Sequence, residues 1–432
     1  MNTSTELQVP VLTTALSGAL LSLEKKILDK QTDIEAWLRD QWKKTPAPIY
    51  GSVDLRNAGY KLAPVDMNLY PAGFNNLNPE FLPLGIQATQ MALEKRFSGI
   101  KNILIVAESH TRNMFYWENV NTLVKIISQA GYHVRVGVFP DVMSEPTTFT
   151  LPSQKTIHIE PIERDGNNII LSNFEPDILW LNNDLSAGVP ELLQGISQPI
   201  CPPLALGWHQ RLKSVHFHHY QQVAQAFANH IDIDPWLIDP LFQYCGKVDF
   251  MKREGEECLA YNVDKLLNEI KKKHEAYNID QDPFVVVKAD SGTYGMSVMT
   301  VKSADEVIAL NRKQRTKMSA SKGTNTVTRV IMQEGIYTFE TWGEDNTVAE
   351  PVVYMIDQHV IGGFYRLHQN KGADESLNAP GMHFQPLQFQ KPCTTPDKQL
   401  GPDECPNRFY AYGVVARLSM LAAAREKDLA ND

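Results

Sequence analysis

The chain has 432 residues, 43% hydrophobic and 21% charged, the make-up of an ordinary globular protein with a sizeable core and two or three domains. A formal charge of -9 argues against general nucleic-acid binding and leaves room only for a local basic cleft. Five cysteines without a Cys-x-x-Cys pair disfavour a disulfide or zinc framework. No stretch reaches membrane-spanning length and no targeting signal is evident, so a cytoplasmic protein with reduced thiols is expected.

In chain order, Val11 to Leu23 is apolar and merges into the amphipathic run Glu24 to Leu38, so residues 1–47 read as a packed helical segment. An α/β domain is expected over 48–245. Between Ser52 and Leu77, Asp54, Arg56, Asn57, Lys61, Asp66, Asn68, Asn75 and Asn76 alternate with apolar residues. A free amino acid is a small zwitterion, and its recognition needs opposite charges and amide donors at fixed positions, with arginine suited to a carboxylate. A network of turns that satisfy one another explains the same composition.

Asn102 to Ala107 reads as a buried strand, Asn113 to Ala130 as a helix ended by Gly131, and His133 to Phe139 as a second strand. That spacing fits a right-handed βαβ crossover. The polar run Glu108 to Asn113, which includes Arg112, then falls at a strand's carboxyl end and a helix N-terminus, where an anion docks or a turn is simply capped. Asp177 to Ser186 repeats the arrangement. His216, His218 and His219 lack the spacing and carboxylate neighbour of a metal triad.

A second domain, of α+β type, is expected over 246–400. Its centre is Phe284 to Val298, where a β-branched run ends on Lys288, enters a loop with Gly292 and Gly295, and returns to an apolar run ending at Val301. Glycines let a backbone approach a ligand closely and free its amides for phosphate oxygens, and Lys288 adds a positive charge. An ordinary hairpin turn has the same residues. Ser303 and Glu306 form a capping-box pattern, so a helix should start there, carrying Val307, Ile308 and Leu310 before a basic run from Arg312 to Lys322. Thr328 to Gly335 reads as a strand with an acidic exit, and Ala349 to Ile356 and Val360 to Leu367 as a hairpin turning at Asp357 and Gln358. A proline-rich loop from Pro386 to Pro406 precedes an apparent helix from Tyr412 to Lys427, within a C-terminal segment 401–432.

The strand, glycine loop and strand resemble the flap that closes over ATP in ATP-grasp ligases. Together, Asp54-Leu-Arg56-Asn57, the run Val65 to Leu77, the Lys288 loop, Gly362-Gly363-Phe-Tyr-Arg366 and Leu377-Asn378-Ala-Pro-Gly381 are similar to one family of bacterial glutamate-cysteine ligases. That family is distinct from those built on a glutamine-synthetase-like sheet, and the likeness runs from about Pro48 to Leu387. Arg366 followed by Leu377-Asn378 also resembles glutathione synthetase, itself an ATP-grasp enzyme.

The resemblance implies an α/β substrate domain followed by an ATP-grasp-like nucleotide-binding domain, and ATP-dependent ligation of the glutamate side-chain carboxylate to the cysteine amine through a γ-glutamyl phosphate. Lys288 and Arg366 would carry the chemistry. Lys288, Ser291, Gly292, Thr293, Gly295, Gln333 and Glu334 would hold ATP, and Asp54, Arg56, Asn68, Asn75, Asn76 and Arg112 the amino-acid substrate. The late Asp and Glu-x-Asn pair that holds magnesium in many ATP-grasp enzymes is missing after Pro386. Magnesium therefore falls to earlier oxygens, with Glu350, Asn378 and Glu340 as the expected ligands and Glu334 a further candidate. Two other readings stay open: a different γ-glutamyl or dipeptide ligase, and a non-catalytic nucleotide-binding regulator. Expected partners are small molecules only, with neither nucleic acid nor membrane, and homo-oligomerisation is left open.

Overall fold

The computed structural model describes residues 18–108, 112–292, 297–320, 326–386 and 395–426, with only the backbone of residues 405 and 406. The fold is mixed α/β, with three larger sheets among the described residues. One is antiparallel and joins distant parts of the chain. Its order is His383–Pro386, His359–His368, Thr347–Ile356, Tyr50–Asn57 and Leu62–Asn68. Tyr50 lies opposite Ile356, so the segment where polar and apolar residues alternate from Ser52 forms strands that pair with the hairpin read from Ala349 to Leu367. That hairpin turns at Asp357, whose φ of 51° supplies the left-handed step a tight turn requires.

The second sheet holds Ile200–Cys201, Ile178–Asn182, Asn102–Ala107, His133–Val138 and Thr156–Pro161, parallel throughout, with Thr147–Thr150 antiparallel at its edge. Helix Met114–Gln129 makes the expected crossover, and Asn102 stands opposite His133. Burial on both faces accounts for the unbroken apolar runs of the two central strands, Asn102–Ala107 and Ile178–Asn182. The third sheet is antiparallel, in the order Phe242–Cys245, Val330–Glu334, Val285–Ala289 and Val298–Val301. Helix Glu256–Ala276 covers it, burying Val263, Leu266 and Ile270 against Val285, Val287 and Met332.

Three helix boundaries differ from the sequence reading. The helix begun at Ser303 ends at Ile308, and the basic residues belong to a separate helix, Arg312–Ser319. The second helix starts because Asn311 and Gln314 form a full capping box, the Asn311 side chain accepting from the Gln314 amide at 3.0 Å and Gln314 accepting from the Asn311 amide at 2.9 Å. At the first helix the Glu306 carboxylate turns instead to the Lys302 amide, at 3.0 Å. Lys322 lies outside the described residues. In the N-terminal segment the helix is broken at Lys30 into Ala19–Asp29 and Gln31–Lys44.

The C-terminal helix begins two turns earlier than expected, spanning Cys405–Arg425, because a proline in the first turn blocks no helical hydrogen bond. From Phe409 to Ala424 almost every side chain is buried, since this helix runs against helix Lys213–Ile231 and the antiparallel sheet. Two buried ion pairs fix it: Arg408 to Glu24 at 2.8 and 3.0 Å, and Arg211 to Glu426 at 2.7 and 3.0 Å. Among the described residues no helix is long and apolar enough to cross a membrane.

Candidate active site

Two cavities meet where the antiparallel sheet faces the other two. The first, of about 110 Å³, lies between the antiparallel sheet and the third sheet; the second, of about 190 Å³, lies between it and the carboxyl ends of the parallel strands. Their common wall is Asp54, Asp66, Arg366 and Asn378, each of which lines both.

Register creates this wall. Antiparallel pairing sets Asp54 opposite Asp66 and Glu350 opposite Arg366, bringing three carboxylates and an arginine together on adjoining strands. Like charges facing across a ladder are destabilising, so the arrangement needs cations. Arg366 Nη1 donates to Asp54 at 2.9 Å and to Glu350 at 2.5 Å, while Arg56 Nε donates to the other Glu350 oxygen at 3.1 Å. Lys213 Nζ sits 2.6 and 2.7 Å from the two Asp66 oxygens and 4.4 Å from the centre of the Trp208 ring.

The electrostatics are uneven. Burial raises the Asp54 carboxyl against the pull of Arg366, and the neighbouring Glu350 charge raises it further. Burial works the same way on Asp66, yet Lys213 and Lys288 overcome it and hold Asp66 well below the usual range. Burial pushes the Lys288 ammonium down to about 8; Asp66 pulls against that shift and Lys213 adds to it. Arg366 stays firmly charged, because Asp54 and Glu350 outweigh its burial.

The first cavity contains most of the residues expected around ATP. Lys288 reaches across from the third sheet, donating to the Val65 carbonyl at 2.6 Å and to Gln333 Oε1 at 2.9 Å. Ser291, Gly292, Gln333 and Glu334 line the same space, and Val286, Val298 and Ile336 supply apolar surface. Thr293 and Gly295 lie outside the described residues. Glu334 is fully engaged: Lys61 Nζ at 2.7 Å, the Trp236 indole at 3.0 Å and the Leu241 amide at 2.9 Å all donate to it. It serves as the counter-charge of a buried lysine.

Arg56, expected with the amino-acid substrate, lines the first cavity and not the second, and it donates to the Ile336 and Ala373 carbonyls at 3.0 and 3.3 Å as well as to Glu350. Asn68 and Asn76 do line the second cavity. Asn75 lines neither and donates to Asn76 at 3.2 Å, and the exposed Arg112 also lines neither. Of the expected metal ligands, Glu350 lines the first cavity and Asn378 both. Glu340 lines neither, being enclosed by the hydroxyls of Tyr412 and Tyr365 and the Asn57 amide, and burial raises it to about 7. Among the described residues no group of three or more His, Cys, Asp or Glu forms a metal cluster.

The two polar runs read at the carboxyl ends of strands each contribute to the second cavity, through Glu108 and Asp184. Sequence reasoning gave no role to Lys213 or Asp290. Asp290, at the root of the glycine loop, accepts from the Ser214 amide and hydroxyl, both at 2.7 Å. It thereby caps helix Lys213–Ile231, which has no cap of its own, and places Lys213 beside Asp66. The available signal was faint: a Lys-Ser pair opening a helix and an acid two residues after the loop lysine. His216 is structural, bonding Glu426 at 2.7 Å and Ser419 at 3.1 Å.

The mixed α/β protein thus has two pockets sharing one charged wall, with a lysine on one side and amides on the other. The family model of glutamate-cysteine ligases matches residues 24–427. A protein from Methylobacillus flagellatus KT, provisionally named a gamma-glutamylcysteine synthetase, has a crystal structure that superposes with a TM-score of 0.91 at 55% identity, covering 98% of this chain and 99% of that one. The chain belongs to the glutamate-cysteine ligase family, and its activity is the joining of glutamate to cysteine in glutathione biosynthesis. A glutathione synthetase-like effector from Globodera pallida is more distant, at 9% identity, 85% and 84% coverage and a TM-score of 0.37, which is too low to carry an argument. No curated protein matches the chain.

Proposed function

We propose that ATP occupies the first cavity and glutamate the second, and that a γ-glutamyl phosphate forms at the wall between them. The single observation that carries this reading is the sharing of Asp54, Asp66, Arg366 and Asn378, since only at a shared wall can a phosphoryl donor meet a carboxylate held elsewhere. Two buried donors support it: Arg366 Nε and Gln333 Nε2 have no hydrogen-bond partner among the described residues, and each lines a proposed ligand cavity. A buried unpaired donor is costly, and a ligand oxygen or ring nitrogen relieves that cost.

A carboxylate is a poor electrophile until activated. ATP transfers its γ-phosphoryl group to the glutamate side chain, and the cysteine amine then displaces phosphate. No protein nucleophile is needed, so the chain's task is positioning and charge neutralisation. Lys288 and Arg366 neutralise the transferring group, while Asn68 and Asn76 orient the glutamate. Lys213 keeps Asp66 ionised beside them. The third sheet with its glycine loop is the ATP-grasp-like unit of this scheme.

The residues also fit magnesium. Asp54, Glu350 and Asn378 offer hard oxygens, and the raised Asp54 carboxyl marks a place where added positive charge is favourable. These residues would hold the ion, which when bound would neutralise phosphate charge. Glu340, remote from both cavities, would not. The test is incubation with ATP, magnesium, glutamate and a panel of amino acids while ADP, AMP and product mass are followed. ADP with a glutamate-cysteine product is expected. AMP release would replace the acyl phosphate with an adenylate.

A further inference from the structure

We propose that Cys245 and Cys258 form a reversible disulfide by exchange with a small aminothiol disulfide, making this pair a covalent modification site outside the ligase centre. Their sulfurs stand 3.2 Å apart, so bond formation needs the two to close by only about 1 Å. Neither residue lines the two cavities described above.

The two sulfurs are arranged for successive roles. Cys258, in the first turn of helix Glu256–Ala276, is exposed, whereas Cys245, at the end of edge strand Phe242–Cys245, is buried. The Asn262 amide donates to both the Cys258 carbonyl at 2.9 Å and its sulfur at 3.4 Å, holding that side chain in place. Burial and the adjacent Cys258 raise the Cys245 thiol to about 11, so Cys245 waits as a thiol while Cys258 meets the reagent.

Cystine, the disulfide of the family's own acceptor, is the oxidant, and the exposed Cys258 is open to it. The Cys258 thiolate attacks one cystine sulfur, forming a mixed disulfide and expelling one cysteine thiolate. Cys245 then loses its proton to solvent as it attacks the Cys258 sulfur, and the second cysteine leaves and takes up a proton. Two protein thiols are oxidised and one cystine is reduced to two cysteines. The bond ties the start of the helix to a strand whose Phe242 lies opposite Gln333 and whose Cys245 lies opposite Val330. It therefore fastens the edge of the sheet that carries Gln333 and Glu334 into the first cavity.

The folded chain is incubated with cystine, quenched in acid and mapped by non-reducing peptide mass spectrometry, with released cysteine counted. A peptide linking Cys245 to Cys258 is expected, with two cysteines released per linkage and full reversal by dithiothreitol. Cys245→Ser is expected to trap a single cysteine on Cys258, and Cys258→Ser to leave Cys245 unmodified. The proposal is overturned if the unmutated chain leaves Cys258 free, if it holds only a persistent mixed disulfide there, or if Cys258→Ser places cysteine on Cys245.

Discussion

At the residue scale, Lys288 is the most exposed to test, because its charge is set by its surroundings. Lys288→Ala removes the cation beside the proposed phosphates, and ligation should fall at least about a hundredfold with folding retained. A folded Lys288→Ala protein that turns over normally would place ATP elsewhere. The lysine also gives a pH dependence. Its folded value of about 8 lies below its ordinary 10.5, so above pH 8 the free enzyme loses the ammonium that attracts ATP. The kcat/KM for ATP should decline above pH 8, and Lys288→Arg should flatten that decline. Stability moves in the opposite sense: between pH 8 and 10.5 the unfolded chain binds more protons at this group, so its contribution to stability rises with pH.

Two glutamates, Glu350 in the antiparallel sheet and Glu334 in the third sheet, separate the proposed ion site from a structural role. Glu350→Gln should raise the magnesium requirement, with excess magnesium restoring part of the activity, because a full negative charge is lost from the proposed ion site while shape is kept. Glu334→Gln should give no such rescue. It leaves Lys61, fully buried, without its 2.7 Å counter-charge, a loss on the scale of about 3–5 kcal/mol that denaturant unfolding would register. A magnesium titration of both variants decides between these assignments.

At the scale of elements, the glycine loop and helix Lys213–Ile231 act as one unit through Asp290. A cap borrowed from another segment couples the loop's root to the placement of Lys213, which a cap within the helix could not do. Asp290→Ala should lower stability by about 1–2 kcal/mol, the usual cost of a lost N-cap, and should also reduce ligation. Asp290→Asn keeps an acceptor and should recover most of the stability. If Asp290→Ala is destabilised yet fully active, the cap is structural only and Lys213 has no part in positioning Asp66. On the loop side of this joint, the strand and glycine loop were readable from the β-branched run and the glycines; helix Lys213–Ile231 on the other side was not assigned from the sequence. The joint itself was not readable, because a hydrogen bond between residues 76 positions apart has no local pattern.

At the scale of the whole molecule, the shared wall predicts how the substrates divide. Asn76 lines only the second cavity, so Asn76→Ala should raise the KM for glutamate and leave that for ATP within about twofold. Asn378 lines both, so Asn378→Ala should raise both KM values together. A glutamate-specific effect of Asn378→Ala, or an ATP-specific effect of Asn76→Ala, would undo the division of the cavities.

The sequence by itself determined the local elements and the kind of chemistry. Apolar runs bounded by glycine or a cap specify strands and helices through short-range sterics and hydrogen bonds, and the Lys288 loop and the polar run from Asp54 to Asn76 carried the family's motifs in order. Tertiary structure alone decided which charges meet. Arg56 belongs to the side of Lys288 because Glu350, 294 positions away, fixes its Nε at 3.1 Å. Glu340 is withdrawn from both cavities because the C-terminal helix brings the Tyr412 hydroxyl to it. Lys213 reaches the wall because Asp290 caps its helix. Each is a long-range pairing selected by burial: a charge inside a protein must find its counter-charge in three dimensions, and sequence spacing does not record where that partner lies.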